Sequence, residues 1–361
     1  MVIKKLTLEN FRNYERETFC FNEGRTVLFG KNAQGKTNCA EAVFYLCTGS
    51  PLRIRHEKQL IRFGEERAYL SAETLTRAGT VKLEAEIRES GRTLFVNGNK
   101  VNKFVDFLGN MTSVFFSPGE LRLVQDGPDE RRRFLNLSIS QTSRAYGSAL
   151  LRYQKILDQR NNLLKLRDVE TVMETLPVWD EQLALYAARI VKARRQFLNE
   201  LSPLAAEAHA FLTDDAEVLC VSQEGEYPDG EEEIAAKLKR EMKNSYERDI
   251  RLGYTTVGPH RDDLKITVDG ADARGYASQG QTRTAALALK LAEAEIFKKL
   301  TGEPPVLILD DVMSELDLPR RKKLVERTEG VQCILTCTHA ERVLYGQSVN
   351  KIKIQGGRIV S

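Results

Sequence analysis

The sequence predicts an α/β domain assembled from both ends of the chain and interrupted by an all-helical arm. Three observations carry that prediction. A glycine-rich loop near the N-terminus lies between a strand pattern and a helix pattern. A continuous apolar run ending in two aspartates lies near the C-terminus. More than a hundred residues between them show helical periodicity and few strand signals. The first part of the α/β unit is residues 1–125, the arm 126–248, and the second part 249–361.

The N-terminal run Val2-Ile3-Lys4-Lys5-Leu6-Thr7-Leu8 is a strand pattern broken by charge and does not read as a signal peptide. Thr26-Val27-Leu28-Phe29 predicts a buried strand, and Thr37 to Leu46 a helix with Ala40, Val43, Phe44 and Cys47 at helical spacing. Between them stand Gly30, Lys31, Asn32, Ala33, Gln34, Gly35, Lys36 and Thr37, which fit the phosphate-binding pattern G-x-x-x-x-G-K-[ST]. Such a loop surrounds a β-phosphate with backbone N–H groups, and the helix that follows adds its positive dipole end. Lys36 is then the candidate for the β- and γ-phosphates and Thr37 a ligand of Mg²⁺, so the expected cofactors are ATP and Mg²⁺. Further on, Val81, Leu83, Ala85 and Ile87 alternate with charged residues as a strand with one wet face. Ser90-Gly91 and Asn97-Gly98 predict hairpin turns.

From about Pro128 to Asn244 the period changes. Leu150, Tyr153, Leu157 and Leu164 form one helical stripe; Leu183, Tyr186, Ile190, Phe197, Leu201 and Leu204 form another. Pro177 and Pro203 are expected to interrupt, giving a set of packed helices. β character returns in Leu264 to Val268. A long helix is predicted over Ala277 to Lys298, buried strands over Val306 to Leu309 and Val331 to Leu335, and a terminal hairpin around Gly356-Gly357.

The apolar run Val306 to Leu309 ends in Asp310 and Asp311. Asp310 is placed to hold Mg²⁺, and Asp311 to orient or activate an attacking water. Lys36 and Asp310 lie 274 positions apart, so one phosphate site has to be built from distant segments. Ser278, Gln279, Gly280 and Gln281 open the long helix, where a hydroxyl and a glycine at a helix N-terminus suit an anion; the same residues also suit a plain N-cap.

The bulk numbers exclude some classes. No apolar run reaches the ~18 residues of a membrane span. The six cysteines, at 20, 39, 47, 220, 333 and 337, form no C-x-x-C pair, which predicts reduced, buried thiols in a cytoplasmic protein. The net charge is only +3, but it is unevenly spread. Residues 131 to 167 carry nine basic side chains against the single acid Asp158, and residues 214 to 233 carry nine acids and no base. Such blocks either pair internally or offer the basic one to a polyanion. Arg131, Arg132, Arg133, Arg152, Lys155 and Arg160 are the candidate contacts for such a polyanion, which the family resemblance below makes DNA.

Ser278 to Gln281 resembles the signature motif of ABC-type ATPases. Ser314, Glu315 and Asp317 resemble the D-loop that follows it, and His339 the switch histidine. Leu8-Glu9-Asn10-Phe11-Arg12-Asn13-Tyr14 resembles the opening of SMC-like ATPases. Pro128 to Asn136, Gly258-Pro259-His260-Arg261-Asp262-Asp263 and Ser278 to Thr284 resemble the RecF family of bacterial recombination and repair proteins. The resemblance runs through nearly the whole chain. It implies an ABC-type, SMC-like ATPase head with slow turnover, in which Lys36, Asp311 and His339 serve hydrolysis and the signature acts in trans across an ATP-dependent homodimer. It implies binding to double-stranded, single-stranded, and gapped or tailed DNA, partnership with RecR and RecO in placing a recombinase at gaps, a tie to the SOS response, and no membrane partner. No Q-loop residue is assigned. Two rivals share the phosphate loop: a nucleotide-binding subunit acting on a non-DNA partner, and a small-molecule kinase, which needs no signature.

Overall fold

The computed structural model describes the whole chain apart from residues 53–55, 167, 340–348 and 361. Arg167, the last base of the positive block, lies outside the described residues. From the N-terminus come strands β1 (Val2–Phe11), β2 (Tyr14–Cys20) and β3 (Arg25–Phe29), helix α1 (Lys36–Thr48), then β4 (Arg67–Thr76), β5 (Gly79–Arg88), β6 (Gly91–Val96) and β7 (Asn99–Lys100). Helix α2 (Phe104–Phe107) leads to β8 (Ser113–Phe116) and α3 (Arg122–Gln125). Next are α4 (Pro128–Thr142), α5 (Arg144–Leu163), α6 (Val169–Thr213), β9 (Leu219–Gln223), α7 (Glu231–Asn244) and α8 (Tyr246–Leu252). The chain returns through β10 (Leu264–Val268), β11 (Ala271–Asp272), α9 (Ala273–Tyr276) and α10 (Gln279–Thr301). It closes with β12 (Val306–Asp310), α11 (Val312–Glu315), α12 (Leu318–Arg327), β13 (Cys333–Cys337), β14 (Asn350–Gln355) and β15 (Arg358–Val360).

The central sheet has the order β15-β14-β3-β13-β12-β8 and draws on both ends of the chain. β14, β3, β13, β12 and β8 run parallel; only β15 is antiparallel to its neighbour. Its strands read as unbroken apolar runs because both faces are covered. Along β12, Val306 and Ile308 enter one core, while Leu307 and Leu309 enter the other. The first core is shared with α1 and a six-stranded antiparallel sheet, β2-β1-β4-β5-β6-β7. The second is shared with α10 and helices α4 to α7. Helix α1 touches strands of both six-stranded sheets, which explains why almost all of it is buried. At the β6–β7 turn, Asn97 and Gly98 both take positive φ, as an Asn-Gly hairpin turn requires.

Three expectations change. Pro177 and Pro203 do not end helices: both lie inside α6, a single helix of 45 residues. Each proline forfeits one backbone hydrogen bond, but Leu176, Leu183, Leu198, Leu201 and Ala205 are buried around them, and packing outweighs local propensity. Within residues 126–248, expected to be all-helical, β9 is a strand. Leu219 and Val221 point inward while Cys220 and Ser222 point out, and β9 pairs with β10 in a three-stranded sheet. Its alternation is only five residues long, too short to stand out beside the helical stripes. Finally, Cys39, Cys47, Cys333 and Cys337 are buried, but Cys20 and Cys220 are exposed on the outward faces of their strands. Among the described residues no helix is long and apolar enough to cross a membrane.

Candidate nucleotide site

The loop between β3 and α1 has a backbone that only particular residues allow. Gly30 has φ +149°, and a Cβ there would lie 2.3 Å from the Ile354 carbonyl oxygen. Gly35, the N-cap of α1, has φ +118°, and a Cβ would meet the Tyr14 hydroxyl at 2.8 Å. Both conformations are open to glycine and strained for other residues. The loop is also held from outside. The Tyr14 hydroxyl donates to the Gly35 carbonyl (2.8 Å), and the Asn13 amide donates to the Gln34 carbonyl (2.9 Å). Burial drives the Tyr14 phenol pKa far upward, so it stays a neutral donor. From the other end of the chain, the N–H groups of Gly356 and Gly357 donate to Gln34, at its side-chain oxygen (2.7 Å) and its carbonyl (2.9 Å).

Lys36 folds back over this loop, its Nζ donating to the carbonyls of Gly30 (2.7 Å) and Lys31 (2.8 Å). Burial lowers its pKa; Asp311, Cys337 and Asp310 pull it back up. The Thr37 hydroxyl donates to Oδ1 of Asp310 at 2.7 Å, and the Thr336 hydroxyl, at the end of β13, donates to the same oxygen at 2.7 Å. The parallel pairing of β12 with β13, and of β13 with β3, sets these three residues side by side. Asp311 takes φ +57° directly after β12 and accepts a hydrogen bond from the Ser314 hydroxyl (3.0 Å). An open cleft of about 370 Å³ is bounded by residues 32 to 38 together with Asp311, Thr336 and Thr338. His339 is exposed, with Nδ1 3.0 Å from the Thr338 hydroxyl.

The residues of the signature-like motif do not line this cleft. Ser278 caps α10 in a full capping box: its oxygen accepts from the Gln281 N–H (3.2 Å), and the Gln281 side chain accepts from the Ser278 N–H (2.9 Å). Ser278, Gln279 and Gly280 are exposed, and Gln281 partly so. The D-loop-like residues are tied to the same helix, because Glu315 pairs with Arg283 of α10 at 2.5 Å. Asp317 caps α12 by accepting from the Arg320 N–H (2.9 Å), a bond that lowers its pKa.

The basic block does not form one surface. Arg160 is fully buried, donating to Asp180 (2.7 Å), Asp249 (2.8 Å) and Thr255 (2.9 Å). Arg131 is buried in a two-pronged bridge to Asp263 (2.6 and 2.7 Å). These two arginines are structural, which removes them from the expected DNA contacts. A guanidinium inside a fold has to find carboxylates, and the sequence hid those partners far along the chain. Arg132 donates to the Asp262 carbonyl (2.6 Å), and Arg133 to the Leu52 carbonyl (2.8 Å). Arg152 and Lys155 are exposed on α5, with Arg152 donating to the Tyr186 hydroxyl (2.9 Å). The acidic block pairs instead with α6 and α12, through Asp229–Arg195, Glu231–Arg189 and Asp214–Lys323. A larger cleft of about 680 Å³ beside α4 and α5 contains Arg92, Arg132 and Arg133, but each already holds protein acceptors and no phosphate loop opens there.

Sequence reasoning overlooked Asn13, Tyr14 and Thr336 as parts of the site. Thr336 was signalled only by its place at the end of an apolar strand beside Asp310.

A family model for the RecF/RecN/SMC N-terminal domain matches residues 2–360. The DNA replication and repair protein RecF of Lachnospira eligens is 37% identical over 369 residues, covering 100% of this chain and 99% of that protein. The chain belongs to the RecF family. The RecF of Symbiobacterium thermophilum is 41% identical over 351 residues, covering 95% and 93%. A solved structure of the recombination mediator protein RecF with ATP superposes with a TM-score of 0.92 at 37% identity, covering 99% of this chain and 96% of that one. The Smc head domain of Pyrococcus yayanosii, at 14% identity and a TM-score of 0.59, covers 97% of its own length and shares the fold. The fold of this RecF-family chain is thus the ABC-type ATPase head of RecF and SMC proteins.

Proposed function

We propose that this protein is an ATP-dependent DNA-binding ATPase of recombinational repair and replication-fork maintenance, working in the cytoplasm. The observation that carries the reading is the convergence of Thr37 and Thr336 on Asp310 beneath the Lys36 loop. Family membership at 37% identity to a RecF solved with ATP supports it. In this reading residues 1–125 and 249–361 form the head and 126–248 the arm.

The donor set fits Mg²⁺ and ATP. Thr37 and Asp310 offer oxygen ligands, which Mg²⁺ prefers, and the described residues contain no cluster of three His, Cys, Asp or Glu that would hold a metal alone. Bound there, Mg²⁺ would neutralise phosphate charge and ATP would supply the γ-phosphoryl group. Lys36 would exchange its two carbonyl partners for phosphate oxygens. Asp311, held by Ser314, would orient the attacking water, and His339 would stand beside it. Aspartate is one methylene shorter than the glutamate used by many cassette ATPases, which suits weak, slow hydrolysis.

Ser278, Gln279, Gly280 and Gln281 are exposed or partly exposed and lie apart from their own phosphate cleft, which supports a role in trans. Two copies would close with twofold symmetry, each offering its signature and the D-loop residues Ser314, Glu315 and Asp317 to the other's ATP. ATP would stabilise only the closed dimer, and hydrolysis would release it. DNA would lie across both copies on surface that includes Arg152 and Lys155, through salt-sensitive phosphate contacts. RecO and RecR would be partners in loading recombinase at gaps.

The test is binding of a labelled duplex carrying a single-stranded tail, with and without a non-hydrolysable ATP analogue, with mass followed by light scattering. The reading predicts that dimerisation and DNA binding both appear with the analogue. Dimerisation without DNA binding would instead indicate an ABC-type ATPase acting on a non-DNA partner.

A further inference from the structure

The segment Gly258 to Asp263 spends most of its groups inside the fold. Arg194 donates to the Pro259 carbonyl (2.6 Å), and the His260 ring bridges the Tyr153 hydroxyl and the Thr255 carbonyl. The Tyr227 hydroxyl donates to Asp262 (2.8 Å), and Asp263 holds Arg131 (2.6 Å). Of the six residues only Arg261 is exposed. Its guanidinium donates to the Thr255 carbonyl from Nε (3.3 Å) and Nη2 (3.1 Å) and lies over the Tyr254 ring, 4.8 Å from the centroid. Neither Tyr254 nor Arg261 borders the phosphate cleft.

Tyr254 stands on a turn that is rigid behind and open in front. Behind it, the Thr255 hydroxyl accepts from Arg160 (2.9 Å), the Thr255 N–H donates to Asn161 (2.8 Å), and the Thr256 N–H donates to Asp249 (3.1 Å). In front, Tyr254 is 40% exposed and Leu252 43%. Cations surround them. Arg248 donates to the Thr256 hydroxyl (2.5 Å), Arg251 is exposed in the last turn of α8, and exposed Lys165 borders Gly253. Of the two acids on α8, Asp249 is buried, which leaves Glu247 to oppose them.

Cations alone would serve any phosphate backbone. An exposed tyrosine and leucine among them have nothing to bury against a duplex, whose bases are stacked inside. The unstacked bases of a single strand can lie on an aromatic ring or on a guanidinium plane, whatever their sequence. We infer that the Tyr254–Arg261 turn binds single-stranded DNA, the ring stacking a base and the surrounding cations holding the backbone. This rests on the DNA reading above and adds to it a separate surface for the unpaired strand.

The test uses the full-length protein with a non-hydrolysable ATP analogue and three labelled probes: oligothymidylate, an abasic strand of the same length, and a blunt duplex. Tyr254→Ala is expected to weaken oligothymidylate binding roughly tenfold, equivalent to about 1.4 kcal/mol, and to leave the abasic strand and the duplex unchanged. Tyr254→Trp should bind oligothymidylate as wild type does, and its added indole emission should be quenched by that strand but not by the abasic one. Arg261→Ala should weaken both single strands, since the abasic one keeps its phosphates. Both side chains face solvent, so the free variants should melt at the wild-type temperature. Equal oligothymidylate affinity in wild type and Tyr254→Ala would overturn the inference while leaving DNA binding standing. Equal loss of all three probes in Tyr254→Ala would overturn it too, since the effect would then lie in the fold or in phosphate contacts. If wild type binds none of the three, the DNA reading itself falls.

Discussion

In the phosphate cleft, Asp310 is nearly buried and accepts hydrogen bonds from two hydroxyls, those of Thr37 and Thr336. In the arm, Arg160 is entirely buried and donates to two carboxylates and a hydroxyl, those of Asp180, Asp249 and Thr255. Both networks bury charge, but they differ in what can be exchanged. A hydroxyl partner is neutral, and Thr37 keeps partial access to the cleft, so a ligand can take its place. Arg160 has no such access; any change leaves carboxylates without their cation. A binding site and a structural lock therefore look alike in composition and differ in exposure and in the charge of their partners.

Breaking the lock should give the largest effect. Arg160→Ala is expected to destabilise the protein by about 3–5 kcal/mol, read by chemical denaturation, because Asp180 and Asp249 are left buried without a cation. A loss below 1 kcal/mol would mean that the arm relaxes and the contrast with the cleft is unfounded.

A second arm contact responds to pH. The Nε2–H of His260 donates to the Thr255 carbonyl (3.0 Å), so in the neutral ring Nδ1 accepts from the Tyr153 hydroxyl (2.5 Å). Burial pushes its pKa down to about 4, against a smaller upward pull from Thr255. The folded protein therefore holds it neutral. Its contribution is complete above the unfolded pKa near 6.5, and as much as about 3 kcal/mol is lost as pH falls from there through 4. His260→Gln should flatten that part of the stability–pH curve. An unchanged curve would show that other groups govern acid unfolding.

In the cleft the effect should fall on binding and spare the fold. Lys36→Ala is expected to weaken ATP roughly 100-fold, the loss of two charge-assisted hydrogen bonds, with the melting temperature of the nucleotide-free protein nearly unchanged. A large drop in melting temperature would make Lys36 as structural as Arg160. The smallest effect should come from the exposed arm charges. Reversing Arg152 and Lys155 to Glu should reduce the slope of log affinity for DNA against log salt by about 2. An unchanged slope would take DNA away from α5.

The cleft was far more legible in the sequence than the lock. A phosphate loop is contiguous, so Gly30 to Thr37 can be read directly, and a buried parallel strand announces Asp310 by its unbroken apolar run. The arginines of the basic block look identical in one dimension. Only three-dimensional pairing separates Arg131 and Arg160, which reach Asp263 and Asp249 over 132 and 89 residues of sequence, from Arg152 and Lys155. Pro177 and Pro203 misled for a related reason: local rules predict a break, while burial along α6 keeps the helix continuous. Asn13 and Tyr14 stand in the SMC-like opening segment, but they support the loop through backbone carbonyls, a contact that the segment's residue pattern does not spell out.

The strand order β15-β14-β3-β13-β12-β8 has a consequence for how the protein is made. β3 leaves the ribosome early, yet each of its sheet neighbours, β13 and β14, is encoded more than 300 residues later. At roughly 5–20 residues per second, the first phosphate-loop strand waits about 15–60 s for its lateral hydrogen bonds. Throughout that interval the loop also lacks the clasp of Gly356 and Gly357 on Gln34. Nucleotide affinity would therefore switch on late and abruptly during synthesis, and a chain stalled before β14 would emerge unable to compete for ATP.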